Sequence, residues 1–81
     1  MTYRVMLFGA EAVAAGERSL DLEIPQESIT ADELKLHLSE SYPGMSGIPS
    51  CRVAVNQKFV VGDDKLTPGD EIALVGPVSG G

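Results

Sequence analysis

The segment Ile29-Thr30-Ala31-Asp32-Glu33-Leu34 commits the middle of this 81-residue chain to one helix. Thr30 and Glu33 have capping-box spacing. The threonine hydroxyl accepts from the amide three residues on, and the glutamate reaches back to the threonine amide. Ile29 and Leu34 stand where a hydrophobic staple closes over that cap. Asp32 and Glu33 occupy the first turn, where the helix dipole favours negative charge. Ala31, Leu34, Leu38 and Tyr42 fall on one stripe, and Pro43-Gly44 stops the helix near Ser41. Leu36 points away from the stripe, either partly covered at an edge or part of a contact surface. A helix with one apolar stripe must bury it against another layer.

The flanking segments supply that layer. Tyr3 to Phe8 is an apolar run interrupted by Arg4 and reads as a strand largely buried on both faces. Ala10 to Ala15 is a short Ala-rich helix, with Gly16 suited to a left-handed C-terminal position. Ser19 to Ile24 alternates, with Leu20, Leu22 and Ile24 on one face, as a half-buried strand near a sheet edge does. Pro25 ends it. Met45 to Ser50 reads as a loop, Arg52 to Val55 as a strand, Asn56-Gln57 as a turn and Lys58 to Val61 as a short strand. Gly62-Asp63-Asp64 turns again. Thr67-Pro68-Gly69-Asp70 has the proline-glycine centre of a type II turn. Glu71 to Val75 is apolar on both faces, which predicts a central strand beside the first. The class is α+β: a roll with one main helix packed across a mixed sheet, over residues 1–75.

Chemistry is restricted by what the chain lacks. One cysteine excludes an internal disulfide and any cysteine-rich zinc site, and one histidine excludes a two-histidine metal site. Twelve acidic against six basic residues give a formal charge of −6, which argues against sequence-independent nucleic-acid binding. No apolar run approaches the roughly 18 residues of a membrane span, and no signal-peptide core follows Met1-Thr2-Tyr3-Arg4. A cytoplasmic domain is expected, with neither nucleic acid nor membrane as partner. A chain this short buries roughly 60 to 70% of its extended surface, leaving little room for an enclosed active site. The domain is therefore expected to act through partners.

Residues 76–81, Gly-Pro-Val-Ser-Gly-Gly, follow the last strand. Extended, they reach about 20 Å at roughly 3.3 Å per residue. Pro77 denies an amide hydrogen to any continued pairing. The segment reads either as a frayed terminus or cloning remnant, or as a flexible tail that threads a narrow channel and delivers its carboxyl group. Nothing larger than hydrogen projects from Gly80 or Gly81 at the reacting end. An ionised α-carboxylate is a poor electrophile and must first be activated, typically as an acyl-adenylate. No phosphate-cradling Gly-rich loop with lysine is present, so another protein would have to supply the ATP chemistry.

Four stretches together resemble the sulfur-carrier proteins of the ubiquitin-like β-grasp class, the MoaD/ThiS family, and within it the small subunit of molybdopterin synthase. They are Val5 to Phe8, Ala54-Val55-Asn56-Gln57, Thr67-Pro68-Gly69-Asp70-Glu71-Ile72-Ala73 and Pro77-Val78-Ser79-Gly80-Gly81. The resemblance implies a β-grasp roll and no catalysis by the chain alone. An adenylating enzyme activates Gly81 with ATP, and a sulfur donor system converts the adenylate to a thiocarboxylate. Gly81 then gives sulfur to a cyclic pyranopterin monophosphate in the large catalytic subunit. Two such donations build the dithiolene in molybdenum cofactor biosynthesis, within a heterotetramer of two carriers on a large-subunit dimer. No cofactor is held permanently. Gly80, Ser79, Val78 and Pro77 are implied to line the partner channel, and Val75, Phe59 and Phe8 to dock on the partner. Gly76 departs from the bulkier residue or second proline often found there. Carriers for thiamine synthesis, tRNA thiolation or sulfur delivery to an amino acid, a ubiquitin-like protein modifier and a simple binding module are the competing readings.

Other candidates carry less. Cys51 has only Arg52 beside it to favour a thiolate and reads as a small hydrophobe. His37 has no carboxylate or serine at a suggestive spacing. Asp32-Glu33, Asp63-Asp64 and Asp70-Glu71 read mostly as capping and turn residues whose summed charge steers the domain to basic partners.

Overall fold

The computed structural model describes residues 1–45 and 47–76. Strand β1 (Thr2–Leu7) leads into a short helix α1 (Gly9–Ala15), then β2 (Ser19–Glu23), β3 (Ile29–Thr30) and the main helix α2 (Ala31–Ser41). A 3₁₀ turn at Ile48–Ser50 precedes β4 (Arg52–Val55), β5 (Lys58–Phe59), β6 (Lys65–Leu66) and β7 (Ile72–Val75). Five strands form one mixed sheet in the order β2-β1-β7-β4-β5, while β3 and β6 pair separately. Strand β7 lies centrally, parallel to β1 and antiparallel to β4.

Local signals explain the main helix. Glu33 donates its amide to the Thr30 hydroxyl at 3.1 Å, and the Glu33 carboxylate accepts the Thr30 amide at 2.8 Å. The Thr30 backbone amide, and after it the Thr30 side chain, hold the Glu33 carboxyl below the ordinary range. Ile29 and Leu34 are buried, as are Ala31 and Leu38 on the same stripe, and Tyr42 packs against the core from the helix end. Gly16 closes α1 at φ 72°, a left-handed conformation that glycine adopts without a Cβ penalty.

Among the described residues the sheet is covered on one face only. Tyr3, Val5 and Leu7 join Leu20, Leu22, Val53, Ile72 and Leu74 beneath α2 in a single core cluster. Thr2, Arg4 and Met6 instead point outward, so the expectation that β1 is buried on both faces is wrong. Apolar residues in β1 outnumber what the core absorbs, because one helix layer covers one side. Strand β7 shows the same asymmetry in milder form: Ile72 and Leu74 are buried, Ala73 and Val75 half-buried.

Three further expectations are corrected. Thr67–Asp70 is not a type II turn: the positive-φ glycines among the described residues are Gly9 and Gly16, so Gly69 lacks the required conformation. The turn is closed by the Asp70 amide on the Thr67 carbonyl at 3.0 Å, and the Asp70 carboxylate accepts the Thr67 amide at 2.8 Å. That second bond makes the proline-glycine conformation unnecessary. The Met45–Ser50 stretch is more than a loop, since its 3₁₀ turn buries Ile48, with Met45 also in the core. The strand expected over Lys58–Val61 is regular only over Lys58–Phe59, with one more bond from the Val60 amide to the Val53 carbonyl at 3.0 Å, and the unanticipated β6 takes the other short pairing. Leu36 is exposed, on the side of α2 away from the sheet.

Candidate functional site

Two sequence stretches set the position of the last strand. Asn56 and Gln57 connect β4 to β5 with φ values of 52° and 70°, the doubly left-handed geometry of a type I′ hairpin turn. Asn56 then reaches sideways. Its side-chain carbonyl accepts the Glu71 amide at 3.0 Å, its NH₂ donates to Asp70 at 3.2 Å, and its own amide donates to the Glu71 carbonyl at 2.8 Å. These contacts fix the entry to β7. They also hold the Asp70 carboxyl below its ordinary range, with the Thr67 backbone amide as the leading cause and Asn56 adding to it. Fixing the entry fixes the register, and register decides which side chains face out.

The outward face follows from the pairing. Met6 lies beside Ala73, Ala54 beside both Ala73 and Phe59, and Arg52 beside Val75. Phe8 continues the alternation of β1 in extended conformation at φ −137°, ψ 155°. Thus Phe8, Val75 and Phe59, far apart in sequence, share one open sheet face with Met6, Ala54 and Ala73. Phe8 and Phe59 are 49% and 53% exposed, large values for aromatic side chains. The Arg52 guanidinium lies over the Phe59 ring, 4.0 Å from its centroid. Arg4 and Asp21 form an ion pair farther out on the same face, at 3.0 Å.

At the end of β7 a recess of about 460 Å³ opens, lined mainly by Phe8, Glu11, Gly47, Val75 and Gly76. The Glu11 side chain fills the space beside Gly76 that a Cβ there would need, and lies 3.2 Å from where a Cβ on Gly47 would sit. A larger residue at position 76 would have to move the Glu11 carboxylate. The expected channel residues Pro77, Val78, Ser79, Gly80 and Gly81 lie outside the described residues. Gly76, the last described position, lies at the edge of the apolar face.

The remaining candidates take structural roles. Cys51 is buried and its thiol donates to the Gly47 carbonyl at 3.3 Å. Burial pushes the thiol pKa up, Glu11 pushes it further, and Lys35 only partly offsets them, so a nucleophilic thiolate is disfavoured. Lys35 is tied to the Pro49 and Cys51 carbonyls at 3.3 and 3.1 Å. Asp64 accepts the Val61 amide at 2.9 Å, as a turn residue does. Among the described residues no three His, Cys, Asp or Glu side chains are grouped to hold a metal ion. No helix among them is long and apolar enough to cross a membrane. Sequence reasoning missed Arg52. The signal was available: a two-residue turn at Asn56-Gln57 puts Ala54 opposite Phe59 and hence Arg52 diagonal to it.

A mixed five-stranded sheet grasping one main helix, with a C-terminal strand at its centre, defines a ubiquitin-like β-grasp protein. The solved structure of SAMP1 from Haloferax volcanii has this fold, with a TM-score of 0.82, 23% identity and full coverage of both chains. A chain from the complex of subunits 1 and 2 of molybdopterin-converting factor from Helicobacter pylori superposes with a TM-score of 0.68. It is 26% identical, again with full coverage of both chains. The human molybdopterin synthase sulfur carrier subunit is 38% identical over 81 residues, covering 95% of this chain and 91% of that protein. Residues 5–81 match the ThiS family, and the chain belongs to it.

Proposed function

We propose that the chain is the sulfur-carrier small subunit of a molybdopterin synthase, acting in molybdenum cofactor biosynthesis in the cytoplasm. The observation that carries this reading is a family match running through the terminal Gly80-Gly81, in a chain 38% identical to a protein of that name. The geometry agrees with it. A central strand ends at Val75, and Gly76 follows it beside an apolar face that a partner could grip.

In this reading the domain spans residues 1–75 and residues 76–81 are the donor tail. An adenylating enzyme joins the Gly81 carboxylate to AMP from ATP, releasing pyrophosphate. A sulfur donor then displaces AMP and leaves a thiocarboxylate on Gly81. Pro77, Val78, Ser79 and Gly80 line the large subunit's channel while Phe8, Phe59 and Val75 dock on its surface. Sulfur passes from Gly81 to the cyclic pyranopterin phosphate there, and catalysis belongs to the large subunit. The carrier holds no cofactor of its own.

Intact mass after incubation with ATP, a sulfur source and the adenylating enzyme tests this. One oxygen exchanged for sulfur at the C-terminus is expected, together with loss of that exchange and unchanged folding on deletion of Gly81. An unmodified mass under conditions that charge a known carrier sinks the reading, and covalent conjugates to lysines replace it with a protein modifier. Co-purification with a pyranopterin-converting large subunit separates it from carriers for thiamine or tRNA thiolation.

A further inference from the structure

We infer that Arg52, held over the Phe59 ring, is a specificity-determining residue of the docking face, and that the partner surface presents a carboxylate to it. The inference rests on the docking reading above and adds the chemistry of the contact. The open face around Arg52 is apolar, made by Phe8, Val75, Ala73, Ala54 and Phe59. Arg52 is exposed, and among the described residues no carboxylate forms an ion pair with it. Arg4 on the same sheet face, by contrast, is already paired with Asp21.

The aromatic ring stabilises the guanidinium as a cation but accepts none of its in-plane N–H donors. In the free carrier water satisfies them. When a protein covers the apolar face that water leaves, and a guanidinium without acceptors would oppose docking. A planar, doubly accepting carboxylate answers five fixed N–H donors better than any neutral group. Charge elsewhere makes this contact selective. With twelve acidic and six basic residues, the carrier as a whole favours basic surfaces, and a single acid opposite Arg52 would fix the register within one. The stack on Phe59 also preorganises the long Arg52 side chain, so less rotamer freedom is lost on binding.

The test is titration calorimetry and dissociation kinetics of the full-length carrier with its cognate synthase large subunit. Wild-type, Arg52→Lys, Arg52→Gln, Arg52→Met and Arg52→Glu are compared at low and high salt, with thermal melts of each carrier. The expected losses of affinity are at least ~10-fold for Arg52→Gln and Arg52→Met, larger for Arg52→Glu and smaller for Arg52→Lys, mainly through faster dissociation. The wild-type advantage over Arg52→Gln should shrink as salt rises. Affinity retained by Arg52→Met or Arg52→Glu, with folding intact, overturns the inference while leaving the docking reading in place. Failure of wild-type carrier to bind overturns both. Self-association of the carrier that Arg52→Glu abolishes would overturn it in favour of a second copy as the occupant.

Discussion

Replacing Phe59 with alanine separates docking from folding. Phe59 is 53% exposed, on a two-residue strand at the sheet edge. A phenylalanine offers roughly 200 Å² of surface, so about 100 Å² remains to be buried by a partner. At ~25 cal/mol per Å² that area corresponds to about 2.5 kcal/mol, or roughly 70-fold in affinity, as an upper value for complete coverage. The isolated domain loses the part of the ring that it already covers, just under half, worth up to about 2 kcal/mol on the same scale. The ring leaves no core cavity, and its exposed stack with Arg52 contributes about 0.5–1 kcal/mol. Calorimetric titration against the large subunit, run beside urea unfolding of the carrier alone, reads both quantities. The expected result is binding weakened by at least ~10-fold with unfolding free energy lowered by no more than about 3 kcal/mol. Binding within threefold of wild type would refute the assignment of Phe59 to a docking face.

Three further outcomes test the fold. Thr30→Ala removes the helix cap and should cost about 1 kcal/mol, lowering the melting temperature by about 4–8 °C; an unchanged melt would mean that the capping box contributes nothing in this context. Gln57→Gly replaces a side chain at φ 70° with the residue type I′ turns prefer. It should raise stability by up to ~1 kcal/mol, measured by urea unfolding, and a loss would show that Gln57 makes a contact worth more than the turn. Acid stability follows from Asp21, Glu33 and Asp70, all held below their ordinary values. Because the folded pKa lies below the unfolded one, their stabilisation is present above about pH 4–4.5 and is lost as pH falls through the folded values. Melting temperature should therefore drop on acidification through that window, and Asp70→Asn should flatten the drop. An acid limb identical in the variant would remove Asp70 from the account.

Part of this molecule was readable from neighbouring residues. The helix at Thr30–Ser41, the edge strand at Ser19–Glu23 and the left-handed Gly16 rest on interactions spanning a few positions, and spacing exposes those. Apolar content misled where it was read as burial. Met6 and Phe8 look like core in a run such as Tyr-Arg-Val-Met-Leu-Phe, but a sheet with one helix layer buries only alternate residues. The type II turn failed for a related reason: dipeptide preference at Pro68-Gly69 competes with the Asp70 carboxylate bonding back to Thr67.

The site divides along the same line. The proposal that Gly80 and Gly81 form the donor end, and the scarcity of any other chemistry, both come from sequence motifs, because those need no neighbours in space to be recognised. The face that would present that end exists only after folding. Val75 meets Arg52, and Arg52 meets Phe59, because Asn56 anchors the hairpin to Glu71 and sets the register of three strands. Val75–Arg52 and Asn56–Glu71 join residues more than a dozen positions apart, and Arg52–Phe59 is a side-chain stack across the hairpin. Hydrophobic patterning marks a residue as apolar, but only tertiary structure decides whether the helix or the solvent lies on its side of the sheet.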